Sequence, residues 1–170
     1  MMQINGGTKM KYSSTLLAVK DMERSKQFYK EILDLDVTAD FGANVVLSQG
    51  ICLQTADSWG GFINKGQNEI ILGNNAIELY FEEDDIDSFM DKLNNCKNFD
   101  IILVHPLEEA SWGQRSIRFY DPDKHIIEVG ETIVSVIKEF KESGMTNEEV
   151  AVRMDVPVDY IESCLSEKSK

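Results

Sequence analysis

Residues 76–93 read AIELYFEEDDIDSFMDKL. Ile77, Leu79 and Phe81 alternate with Glu78, Tyr80 and Glu82, the period-two pattern of a strand with one apolar and one polar face. Asp85 can then cap a helix whose Ile86, Phe89, Met90 and Leu93 recur at helical spacing along one stripe. The same order occurs 64 positions earlier, where KYSSTLLAV (11–19) is a strand and Asp21 caps a helix bearing Met22, Ser25, Tyr29 and Ile32 near one face. Short β-prone runs follow each helix: DVTADFG, NVVLSQ and ICLQT in the first half, IILVH, RSIRFY and HIIEVG in the second. Each half therefore spells βαβββ. Between the halves, ADSWGGFINKGQN (56–68) reads as a linker of turn residues, and PLEEASW (106–112) as a longer loop in the second copy.

This repetition predicts an α+β fold in two modules, about residues 11–56 and 75–131, forming one domain over 11–131. A C-terminal helical appendage is expected over 132–170. There Ile133, Val136, Ile137 and Phe140 form one stripe, Thr146 and Glu149 a capping box, and Pro157 opens a last amphipathic piece. The stretch GMTNEEVAVRMDVPVDYIESCL looks like a helix-turn-helix, but between Met145 and Leu165 it carries five carboxylates and a single basic residue, Arg153. The phosphate contacts that dominate DNA affinity are missing, so a helical hairpin docked on its own domain or a partner subunit is expected.

With 42% apolar residues, 9% aromatic and 28% charged, the composition is that of a globular domain, and the formal charge of −13 disfavours nucleic acid and anionic membrane surfaces. The start MMQINGGTKMKYSS lacks a secretion pattern and no long apolar run is present, so a cytoplasmic protein is expected. Cys52, Cys96 and Cys164 have unrelated spacings and read as reduced thiols.

The segments LLAVKDMERSKQFYKEILDLDV (16–37) and SWGQRSIRFYDPDKHIIEVGE (111–131) resemble the opening and closing signatures of the vicinal oxygen chelate superfamily. That superfamily holds glyoxalase I, extradiol dioxygenases, and fosfomycin- and bleomycin-resistance proteins. The resemblance implies that the curved sheets of the two modules enclose a cavity. In metal-dependent members a divalent ion is held there by one residue on the first and one on the last strand of each module. Those positions fall on Ser14 and Gln54 in the first module and on Glu78 and Glu128 in the second. Glu78, Glu128 and Gln54 make an all-oxygen set suited to Mg²⁺ or Mn²⁺ and lacking the imidazole that Zn²⁺, Ni²⁺ or Fe²⁺ favour. A divalent metal (Mn, Mg, Ni or Zn) is the one cofactor implied.

Alternation puts Glu128 on the face opposite Ile127 and Val129, and groups Gln114, Ser116 and Arg118 opposite Ile117 and Phe119. Tyr80, Trp112, Ser116 and Arg118 are the expected ligand-binding residues, the aromatics by stacking. His105, before Pro106, and His125, in the turn DPDKH, fall on no ligand position and read as rim and turn residues. The leading expectation is a glyoxalase- or bleomycin-resistance-like homodimer that binds a small organic, even cationic, molecule beside an incomplete metal site. The alternatives are a metal-dependent lyase, isomerase or dioxygenase using Glu78 and Glu128, and an interaction module working through the C-terminal helices.

Overall fold

A computed structural model describes residues 10–167. The first nine residues, on which the secretion reading drew, and 168–170 of the expected appendage lie outside the described residues. Two compact units divide between Ile70 and Ile71. In the first, β1 (Thr15–Val19), β2 (Val37–Asp40), β3 (Asn44–Leu47) and β4 (Ile51–Thr55) form a sheet in the order β1-β4-β3-β2, with β1 parallel to β4. Helix α1 (Met22–Leu33) starts at Asp21, whose carboxylate accepts the Arg24 N–H at 3.0 Å. Its Phe28, Tyr29 and Ile32 share the core with Leu17, Val19, Val45, Leu47 and Leu53.

The second unit repeats the plan. β5 (Glu78–Glu83), β6 (Leu103–Glu109), β7 (Arg115–Tyr120) and β8 (Ile126–Glu131) pair in the order β5-β8-β7-β6, with β5 parallel to β8. The carboxylate of Asp85 caps the helix that follows β5, accepting from the Ser88 N–H at 2.9 Å and hydroxyl at 2.7 Å. The buried Ile86, Phe89 and Leu93 join Ile117, Phe119, Ile127 and Val129, the rings of Phe89 and Phe119 lying 6.2 Å apart. The architecture is the expected α+β pair of βαβββ modules.

Two readings are corrected. The supposed linker after β4 begins with a helix, α2 (Ala56–Ile63), which its paired glycines disguise. It is held from outside its own sequence: Gln67 Nε2 donates to the carbonyls of Ala56 and Asp57, each at 3.3 Å, and Asn64 closes it with a φ of 55°. The helix after Asp85 is then α3 (Ile86–Asn94). The supposed loop PLEEASW begins as strand, because β6 continues through Pro106 to Glu109. Proline has no N–H to pair, and β6 is the edge strand, where that loss is tolerated at bulges. Its register on β7 shifts on both sides of His105.

Helices α4 (Ile133–Glu142), α5 (Asn147–Met154) and α6 (Val158–Glu167) complete the second unit. Thr146 and Glu149 form the expected capping box at 2.7 and 3.2 Å. Val136, Ile137, Val150, Ala151, Met154 and Ile161 bury one another. Arg153 bonds with Glu109 and Ser111 of its own unit, so the one cation of the helix-turn-helix-like stretch is already engaged. Among the described residues no helix is long and apolar enough to cross a membrane.

Gly113, in the turn between β6 and β7, has a φ of +96°, and a Cβ there would lie 2.3 Å from Phe140 Cζ on α4. Gly113→Ala is therefore expected to lower stability by about 2 kcal/mol, from the left-handed backbone plus displacement of Phe140. A melting temperature equal to that of the parent protein would show that α4 does not press on this turn.

Candidate functional site

In the second sheet, pairing aligns Tyr80 with Glu128, Glu128 with Arg118 and Arg118 with His105, a row crossing all four strands. Side chains in such a row share a face. Behind it, Ile127 and Val129 are buried in the core, which forces Glu128 to the opposite side. Glu78 lies two residues before Tyr80 on that same face.

Arg118 organises the group. Its Nε donates to Glu78 Oε2 at 2.7 Å, Nη2 donates to Glu128 Oε2, and Nη1 lies 3.0 Å from His105 Nε2. A guanidinium has donors only, so His105 Nε2 must be the acceptor and Nδ1 must carry the ring proton. That proton is satisfied by the Pro106 carbonyl, 2.7 Å from Nδ1. One cation thus stands between two carboxylates and fixes a histidine tautomer.

The carboxylates are driven apart in acidity. Glu128 lies above the usual carboxylate value because it is buried and beside Glu78, effects that outweigh the Ser116 hydroxyl and the charge of Arg118. For Glu78 burial also acts upward, but the Arg118 N–H and a hydrogen bond from protonated Glu128 prevail, and its value is lowered. The two carboxylates titrate as a pair, with Glu128 the one pushed up and Glu78 the one held down.

An aromatic edge adjoins this row. Trp112 Nε1 donates to Gln114 Oε1 at 3.0 Å, while Gln114 Nε2 donates to the Tyr80 hydroxyl at 3.0 Å and to the Glu131 carbonyl at 2.6 Å. Both rings remain open to solvent, Trp112 at 43% and Tyr80 at 49% exposure. Burial raises the Tyr80 phenol, keeping its hydroxyl neutral.

Of the residues expected to form a site, Glu78, Tyr80, Trp112, Ser116, Arg118 and Glu128 belong to this one sheet and its turn. Gln54 and Ser14 belong to the first unit. Gln54 is buried there, with Oε1 accepting from Asn44 Nδ2 at 2.9 Å and Nε2 donating to Ser58 Oγ at 2.5 Å. The modules also pair in different registers: Leu16, counterpart of Tyr80 when the helix caps are aligned, faces Cys52 rather than Gln54. Ser14 is exposed, just before β1.

The donor set does not fit a divalent ion as arranged. A guanidinium already occupies the space between Glu78 and Glu128, and the Gln54 amide is engaged in its own unit. Among the described residues no group of three or more His, Cys, Asp or Glu side chains is placed to hold a metal.

His105 corrects the reading as a rim residue: the register shift between Leu103 and His105 sets it opposite Arg118. No local pattern in the sequence signals that shift. His125 stays in its turn, as expected, with Nδ1 2.8 Å from Asp121 Oδ2, while Asp121 Oδ1 accepts the N–H groups of Asp123 and His125. Asp121 and Asp123 are buried, which no local pattern in the sequence signals.

Comparison with known proteins agrees with this architecture. The family model described as a glyoxalase-like domain matches residues 12–134, so α5 and α6 lie past the match. A protein of unknown function from Agrobacterium tumefaciens has a similar structure, with 35% identity, a TM-score of 0.64, and 75% of this chain and 98% of that one covered. A glyoxalase-related enzyme from Fulvimarina pelagi shares 16% identity at a TM-score of 0.62, covering 74% and 91% of the two chains. A glyoxalase/bleomycin resistance protein/dioxygenase from Nocardioides shares 16% at 0.59, covering 74% and 85%. No curated protein matches the chain. The chain belongs to the glyoxalase-like domain family, within the vicinal oxygen chelate superfamily.

Proposed function

We propose that this protein binds a small organic cation on the polar face of its second sheet, at a metal site that has been given over to an arginine. The observation that carries the reading is Arg118 lying between Glu78 and Glu128, at the positions where the superfamily resemblance implies metal ligands. A guanidinium supplies the positive charge an ion would supply, but it has no vacant coordination site with which to polarise a substrate. Two carboxylates against one guanidinium still leave negative charge, and the half-exposed Tyr80 and Trp112 rings stand beside it. Aromatic faces with nearby carboxylates favour a ligand with a positive or hydrogen-rich head.

Isothermal titration with benzyltrimethylammonium is the direct test, with benzyl alcohol as the uncharged control. Saturable binding of the cation is expected, weakened roughly tenfold in Glu78→Gln/Glu128→Gln. Tight stoichiometric Mn²⁺ or Ni²⁺ binding by the native protein, with no preference for the cationic probe, overturns the reading.

A lyase or isomerase is the second reading, supported by the opposed acidities of the pair. Glu128 would keep its proton to higher pH than an ordinary carboxylate while Glu78 is ionised, the division of labour of general acid–base catalysis. Solvent deuterium exchange into a hydroxyketone, lost in Glu128→Gln, would mark that activity.

A further inference from the structure

We infer that the C-terminal helical hairpin helps build the ligand site, with Arg153 as a positioning residue for Trp112 and Gln114. The inference rests on the binding site proposed above. Arg153, on α5, donates through Nη1 to the Ser111 carbonyl and through Nη2 to Glu109 Oε1 at 2.9 Å. Its guanidinium also lies 5.4 Å from the centroid of the Phe140 ring on α4. That ring in turn closes against Gly113, leaving no room for a side chain there. Ser111 and Gly113 are the two neighbours of Trp112, so the appendage grips the turn on both sides of the indole.

The turn's own backbone ties are short, Ala110 N–H to the Gln114 carbonyl at 2.8 Å and Gly113 N–H to the Ala110 carbonyl at 2.9 Å, and its far end is anchored where Gln114 donates to the Glu131 carbonyl at 2.6 Å. Those bonds hold the turn at its Gln114 end, and Arg153 holds it at its Ser111 end. The hold of Arg153 is passed on: Trp112 bonds to Gln114 and Gln114 to Tyr80, the residue paired with Glu128, so tilting the turn would shift both aromatic rings. A hairpin recruited for DNA would present its cation outward. Here that cation is engaged inside the same unit, on the turn whose Trp112 and Gln114 lead to Tyr80.

The experiment uses the full chain with Trp59→Phe, so that Trp112 is the sole tryptophan. Arg153→Met retains packing on Phe140 and removes every donor, while Arg153→Lys restores one. Acrylamide quenching of Trp112 should rise in Arg153→Met and fall back toward the parent in Arg153→Lys, and benzyltrimethylammonium should bind roughly tenfold more weakly to the former. Unchanged quenching in Arg153→Met overturns the inference whatever the probe does. Changed quenching with unchanged probe affinity also overturns it, provided that Trp112→Ala weakens the probe. If the parent protein does not bind the probe, the binding proposal fails while quenching still decides whether Arg153 holds the turn.

Discussion

Arg115→Ala is expected to destabilise the protein by about 3–5 kcal/mol, the cost of leaving a buried charge without its partner. Glu131 is only 2% exposed. Its carboxylate accepts the Arg115 backbone N–H at 2.8 Å, Nε at 3.0 Å and Nη2 at 2.5 Å. The same guanidinium reaches Asp87 at 3.1 Å and Glu139 at 3.3 Å, so one side chain ties β7, β8, α3 and α4. Hydrogen bonding to Glu131 raises Arg115 further above its already high value, and Glu139 is pushed up by burial and by the charge of Glu131. Removing the arginine leaves three carboxylates facing one another. Urea denaturation measures the loss. Arg115→Met with Glu131→Leu should recover most of it, because an apolar pair needs no desolvation. A single-variant loss below about 1 kcal/mol would show that solvent screens the cluster.

Arg118→Ala is expected to cost about 2–3 kcal/mol at neutral pH, from two charge-assisted hydrogen bonds and the repulsion they hold in check. The loss should shrink with acidification. Without Arg118 both carboxylates lose the cation that lowers them while burial still raises them, so above the unfolded value of about 4.5 the folded variant binds more protons than the folded parent. Its stability relative to the parent then falls as pH rises through the window above that value and returns as pH drops toward it. Of these two carboxylates in the native protein, Glu128 contributes with that sign. Glu78, whose value is lowered, contributes stability that is lost in acid. The same substitution should create a weak Mn²⁺ site, visible by titration calorimetry, because two adjacent hard oxygen donors then lack a cation. A destabilisation that is flat from pH 4.5 to 8, with no Mn²⁺ response, would mean that Arg118 does not mediate between the carboxylates.

Much of the second module is legible in the sequence. Alternation in AIELYFEE and HIIEV puts Glu78, Tyr80 and Glu128 on the polar face, since a strand buried on one side has to turn its other residues outward. Asp21, Asp85 and Thr146 announce their helices by capping chemistry. The misreadings share a cause. His105 is hidden by Pro106, because local rules end a strand at proline, whereas an edge position and a bulge let β6 continue, and the register shift between Leu103 and His105 sets the histidine opposite Arg118. Helix α2 is hidden by two glycines and is secured by Gln67, eleven residues after its first carbonyl partner.

Gln54 shows the limit of overlaying one copy on the other. Aligning apolar runs by sequence matches it to Glu128, but pairing in the first sheet runs two residues out of step with the second. A shift of two preserves the face, so periodicity cannot detect it. What the sequence determined was the twofold βαβββ order, the polar face and the residue types upon it, because these follow from spacing along one strand or helix. The tertiary structure decided which charges meet. Glu78, Arg118, Glu128 and His105 come from four strands, and only their lateral pairing makes one guanidinium answer for two carboxylates and a histidine.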